Sequence, residues 1–212
     1  MVLASRSSEL EEDVAVAKRS VLQFAVLGLL HEGPLHGYEL RKRLNGVLGT
    51  FRAISYGSLY PCLKEMLAAG LIVEDGPADA GAPALSGRRA RIVYKLTPEG
   101  KDRFQEWLVE AGPEAYEDEL FGVHLAFFSR TDRDIRLRIL LGRRNRLEER
   151  LATLRSNLVR RRERLDEWTL TLQQHGLDSV EREVDWLSQL INHEIDGTPP
   201  STKIDRQRAG EK

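Results

Sequence analysis

Two sets of residues in this chain have the types and spacing to bind phosphate and a nucleic-acid groove. The first is Arg88, Arg89 and Arg91, at the return of the Gly-, Ala- and Pro-rich stretch GPADAGAPALSGRRA, with Lys95 following. Guanidinium groups pair with phosphate oxygens and enter minor grooves, but they carry little sequence information in themselves. A solvated charged hairpin would show the same cluster, so its neighbours must decide. The second set lies in ISYGSLYPCLKEMLAAG, residues 54–70. Leu59, Leu63, Met66 and Leu67 recur at i, i+4, i+7 and i+8, an apolar stripe on one face of a helix. The opposite face carries Gly57, Ser58, Pro61, Lys64 and Glu65, with Tyr56 and Tyr60 on the flank. A helix built only to face water would carry more charge there. Small polar side chains at a helix start suit close approach to another surface, and the N–H groups and dipole suit phosphate. Two starts fit: Ser55 as N-cap places Pro61 inside the helix, and Ser58 as N-cap places it at the third position.

Catalytic and metal chemistry find no footing in the pattern. The histidines at 31, 36, 124, 175 and 193 show no HxxxH or HExxH spacing, and a lone cysteine builds no zinc site. GxSxG, Walker A and GxGxxG are absent. Glu148-Glu149 and Arg160-Arg161-Arg162 read as solvated helix surface, and His124, in an apolar run, reads as a satisfied core residue. Nothing around Cys62 marks a lowered thiol pKa. No enzyme, metal or cofactor is expected.

These side chains need elements to position them. A helix reaching about Leu30 stops at Gly33-Pro34, and a second begins near Gly37 with Leu40, Leu44, Val47 and Leu48 inward and Tyr38 in its first turn. After the 54–70 helix, Ala69-Gly70 gives a stop and Leu71-Ile72-Val73 begins a strand. Arg91 to Leu96 reads as its partner. Thr97-Pro98-Glu99 opens another helix, with Phe104 and Leu108 inward and Trp107 adjacent, ending at Gly112-Pro113. Leu120 to Phe128 is apolar on nearly all sides, a helix to be sandwiched by others. Asp132 then starts a helix expected to reach His175, along a heptad seam of Leu137, Leu140, Leu147, Leu151, Leu154, Leu158, Leu165, Trp168 and Leu172 interrupted by Arg144 and Arg161. At ~1.5 Å per residue such a rod spans some 60 Å and wants a partner. A last helix with Val180, Val184, Leu187, Ile191 and Ile195 is expected to fold back after a turn at Gly176.

Three motifs in order, LGLLHEGPLHGYEL, SYGSLYPCLKEMLAAGLI and RIVYKLTPEG, resemble the PadR family of transcriptional regulators over about residues 20–110. The resemblance implies a winged helix-turn-helix, with residues 54–70 as recognition helix and the preceding helix starting close to the DNA backbone. Tyr38 there either donates to a phosphate or serves as a partly buried core aromatic. It also implies dimers made by C-terminal helices, and repression relieved in some members by small apolar or phenolic effectors near the dimer interface.

The 212 residues are 41% hydrophobic and 31% charged, with a net charge of −1, so bulk charge announces no nucleic acid and local clusters must carry that case. One cysteine excludes an internal disulfide and fits a reducing cytoplasm. Val21 to Leu30 is too short to span a bilayer, and the acidic N-terminus is unlike a signal peptide. The chain is thus expected to be mainly α, a cytoplasmic homodimeric repressor of an inverted-repeat DNA operator. An extension at 1–19, a winged helix at 20–112, a helical dimerisation domain at 113–196 and a disordered tail at 197–212 make up the expected organisation. The DNA-contacting residues are Tyr38, Ser55, Tyr56, Gly57, Ser58, Lys64, Arg88, Arg89 and Arg91, and the nine apolar seam residues hold the dimer. The rival reading makes the long helix a docking surface for a different protein chain, which the near-neutral charge favours and the wing arginines oppose.

Overall fold

The computed structural model describes residues 21–49, 56–75, 92–161 and 164–198, which divide into two compact units, residues 1–135 and 136–212. Ser55, Arg88, Arg89 and Arg91, the 1–19 extension and the tail from 199 lie outside the described residues.

In the first unit, α1 (21–32) buries nearly every side chain from Val21 to Leu30, and Gly33 follows it. A two-residue strand, β1 (Leu35–His36), leads into α2 (Gly37–Leu48), whose Leu40, Leu44 and Leu48 are buried. The helix α3 (Tyr56–Ala68) buries Leu59, Leu63 and Met66 of the expected stripe and Cys62 beside them, while Leu67 is half-buried at the stripe's edge. It begins at Tyr56 and so encloses Pro61, as expected of the earlier of the two starts. The ring removes the N–H that would otherwise bond the Gly57 carbonyl. Gly70 then takes a left-handed φ of 71°, and the chain reverses into β2 (Ile72–Asp75).

The return strand β3 (Val93–Leu96) pairs antiparallel with β2 and with β1, giving the order β1-β3-β2. Sequence reasoning did not find β1. Two residues show no alternation, and only their pairing with Val93 and Tyr94 makes them a strand. Helix–helix followed by a β-hairpin is a winged helix-turn-helix. Thr97 caps α4 (Pro98–Val109) as its sequence dictates: its hydroxyl accepts from the Gly100 N–H at 3.0 Å, and its single O–H is shared between the Gly70 and Leu71 carbonyls at 2.7 and 3.0 Å. The helix is thereby tied to the end of α3. A short 3-10 turn (Pro113–Tyr116) precedes α5 (Asp118–Ala126), which buries Phe121, Val123 and His124 and belongs to this first unit. Phe24, Phe104, Trp107, His124 and Phe127 meet edge to face or tilted at 4.9–5.9 Å, and this aromatic cluster is why the unit extends past Gly112-Pro113.

The C-terminal helices correct the sequence reading. The single rod from Asp132 to His175 is instead two helices, α6 (Arg133–Arg161) and α7 (Glu167–Asp196), and α7 runs straight through Gly176 with no turn there. The physical reason is local. Asp166 accepts from the Thr169 backbone N–H at 3.0 Å and from its hydroxyl, and a carboxylate N-cap of this kind starts a new helix where heptad spacing alone would continue the old one. Gly176 has open space where a Cβ would stand, and an exposed glycine inside a long helix costs only about 1 kcal/mol. In this unit α6 and α7 run antiparallel, joined by ion pairs from Arg136 to Glu194, Arg143 to Glu183 and Arg155 to Glu181 at 2.6–2.8 Å. Leu177, Val180, Leu187 and Ile191 are buried along α7, and Ile139, Leu140, Leu147 and Leu151 along α6.

Candidate nucleic-acid interface

The face of α3 turned from the core matches its sequence pattern. Gly57, Pro61, Lys64 and Glu65 are exposed and Ser58 is half-buried, while Leu59, Leu63 and Met66 behind them are sealed. Lys64 has no ion-pair partner among the described residues. That surface is small near the helix start and cationic one turn further on. Such a profile lets a helix N-terminus sit close to a groove floor with its orphan N–H groups toward phosphate.

The first turn of α2 supplies a second part of the candidate surface. Tyr38 is 58% exposed, which removes the core-aromatic reading and leaves its phenol free to donate. Lys42 on the same helix is exposed, whereas Arg43 is bonded to Glu39 at 3.0 Å with Glu32 at 3.7 Å. Gly37 opens α2: a Cβ there would stand 3.4 Å from both the Tyr60 hydroxyl and the Tyr94 ring. These are ordinary van der Waals contacts, so the start of α2 packs directly on Tyr60 of α3 and Tyr94 of β3. Tyr94 is buried, and burial, with Glu74 and Tyr60 nearby, holds its phenol above the usual range, so it stays neutral.

The strands β2 and β3 leave the body of the unit together. Lys95, which follows the wing arginines, is bonded to Asp75 on β2, across from its own strand. It stiffens the hairpin base and is not a free cation. Cys62 is buried and donates to Met66 Sδ at 3.8 Å, so its thiol packs and is shielded from solution. His124 is core, as its sequence suggests, but it is not satisfied: Nδ1 has no hydrogen-bond partner among the described residues, and burial pushes its pKa down to about 4. Among the described residues no group of His, Cys, Asp and Glu can hold a metal ion, and no helix is long and apolar enough to cross a membrane.

Residues 26–106, from α1 through α4, match the transcriptional regulator PadR-like family. The negative transcriptional regulator PadR of Bacillus subtilis is 31% identical over 102 residues, which are 47% of this chain and 52% of that protein, so the chain spans about half the length of that relative. Among solved structures, Bacillus subtilis PadR in complex with operator DNA aligns at 22% identity over 82% of this chain and 99% of the other, with a TM-score of 0.38. The same protein in complex with p-coumaric acid aligns at 23% over 82% and 99%, with a TM-score of 0.37. A PadR-like regulator of Bacillus cereus aligns at 19% over 83% and 99%, with a TM-score of 0.35. The PadR-like segment thus holds all the sequence-derived contact residues, from Tyr38 through Arg91.

The seam residues divide between the two C-terminal helices. Leu140, Leu147 and Leu151 are buried and Leu137, Leu154 and Leu158 half-buried on α6, while Leu165 falls in the turn. Trp168 and Leu172 open α7 at 83% and 66% exposure, and Val159, near the end of α6, is 79% exposed. Large apolar groups this open on one hairpin end make an unpartnered patch.

Proposed function

We propose that the chain is a cytoplasmic, homodimeric regulator that binds an inverted-repeat double-stranded DNA operator and represses transcription until a small effector releases it. The observation that carries this reading is the two-faced α3: buried Leu59, Leu63 and Met66 back a face of exposed Gly57, Pro61 and Lys64 and half-buried Ser58 in a PadR-like segment. Tyr38 and Lys42 of α2 contact the backbone beside it. Ser55, Tyr56, Arg88, Arg89 and Arg91 complete the contact set, the arginines binding phosphate or the minor groove.

Dimerisation follows from the apolar end of the α6–α7 hairpin. Burying a Trp or Leu from solvent contributes ~1.5–3 kcal/mol, and Trp168, Leu172 and Val159 have nothing covering them within one chain's described residues. A second copy supplies the matching surface. Two winged helices held together then engage two half-sites, the second at high effective concentration.

Fragmented genomic DNA incubated with the full chain, recovered and sequenced, tests the reading. Enrichment of a two-fold symmetric sequence with half-sites one helical turn or a multiple apart is expected. Recovery without sequence preference would contradict it.

A further inference from the structure

The face of α3 opposite its sealed stripe runs Gly57, Pro61, Lys64, Glu65 and Ala68, at i, i+4, i+7, i+8 and i+11, and each of these residues is exposed. One of them does not suit a face built for water. Pro61 lies inside the helix, where proline is the least favourable residue, and its ring is exposed on the side away from Leu59, Leu63 and Met66. Burial within the chain does not offset that cost. An apolar ring held at this place points to a surface that the ring itself meets.

The chemistry of the ring narrows what that surface is. A proline side chain has no donor and no acceptor, so it bonds neither a phosphate nor the polar edge of a base. Set against a cytosine N4 amine or an adenine N6 amine, it would strip water from a donor and leave it unpaired. The apolar group that a major groove offers is the C5-methyl of thymine. Gly57, one turn earlier and without a side chain, lets the backbone approach closely enough for the ring to reach it. Pro61 also frees an acceptor. With no N–H at position 61, the Gly57 carbonyl lacks its i+4 donor, and the adenine paired with a thymine presents its N6 amine in the same groove. A single A·T pair therefore matches both groups that this proline creates.

We propose that Pro61 is a specificity-determining residue that reads the C5-methyl of one thymine in each half-site. The inference rests on the DNA-binding reading above and adds a base identity to it.

Duplexes carrying the sequence enriched from genomic fragments test it, with each thymine in turn replaced by deoxyuridine in both half-sites. Deoxyuridine lacks only the methyl and keeps every hydrogen-bonding group. Fluorescence anisotropy with the full chain is expected to find one sensitive thymine per half-site. Its replacement should lower affinity about fourfold in one half-site and about fifteenfold in both. This scan needs no variant of the protein. Pro61→Ser removes the ring at an exposed helical position, so its melting temperature should be at or above that of the wild type. Measured at low salt, where binding is tighter, it should bind the thymine and deoxyuridine duplexes within twofold of each other. A scan with no methyl-sensitive thymine, or a Pro61→Ser variant that keeps the full methyl effect, would overturn the assignment and leave operator recognition standing. Absence of any enriched sequence would instead overturn the DNA-binding reading, and this inference with it.

Discussion

Ser58 carries most of the specificity argument at the scale of single residues, because it sits half-buried on the small face of α3, opposite the apolar stripe. Ser58→Leu should abolish operator binding while circular dichroism and melting temperature stay unchanged. A variant that still shifts the operator at wild-type concentrations would remove Ser58 from the groove. The wing arginines act differently. If each meets a phosphate, each alanine substitution should lower the slope of log K against log salt by ~0.9 on specific and random DNA alike. An unchanged slope in the triple variant would detach the wing from DNA. His124 supplies a pH signature. Its folded pKa, about 4, lies below the ordinary 6.5 because burial disfavours the imidazolium. The unfolded chain therefore binds a proton that the folded chain refuses, and stability falls as pH drops from 6.5 toward 4, by roughly 1.4 kcal/mol per unit at most. His31 is lowered the same way, by burial and then by Arg130 and Lys101, so the informative quantity is the difference between wild type and His124→Leu. Urea unfolding at pH 7 and 4.5 should show a smaller loss in the variant, and an equal loss would rule out His124 as the source.

At the scale of elements, the apolar stripes of α2, α3 and α4 were legible because each is short and ends in its own punctuation. Gly70 stops α3, and Thr97-Pro98 starts α4 with the hydroxyl bonded as an N-cap should be. The C-terminal helices were misread for the opposite reason. A 3-4 repeat across residues 137–172 is a long-range pattern, and it hid the Asp166 cap, a short-range device that ends one helix and begins another. The strand β1 was illegible in principle, since its two residues become a strand only through Val93 and Tyr94. Of the candidate site, residue type and helix face gave Gly57, Ser58, Lys64 and Tyr38. Two substitutions check the helix correction. Gly176→Ala should raise stability by roughly 1 kcal/mol, since α7 passes through an open position there, whereas a turn would make it destabilising. Asp166→Ala should lower the melting temperature. The Thr169 hydroxyl and backbone N–H hold the Asp166 carboxyl below its ordinary 3.8, so the cap's contribution is present above that pH and fades as pH falls through the lower folded value. A melting-temperature deficit that persists below that range would assign the effect to something other than the carboxylate.

For the whole molecule, the account joins a groove-reading surface in one unit to an apolar hairpin end in the other. One winged helix touches few base pairs, and single modules give modest specificity. In the proposed dimer, two copies held through Trp168 and Leu172 convert that into recognition of a symmetric site. Trp168→Asp combined with Leu172→Asp should therefore leave a monomer that keeps weak, salt-sensitive DNA binding and loses operator preference, as sedimentation equilibrium and anisotropy would register. The most direct measurement is sedimentation velocity of a labelled duplex bearing the recovered operator, titrated with the full chain at concentrations well above the dissociation constant. The account predicts saturation at two chains per duplex, with a scrambled duplex bound at least ~10³-fold more weakly at physiological salt. One chain per duplex, or equal affinity for the scrambled sequence, would contradict it.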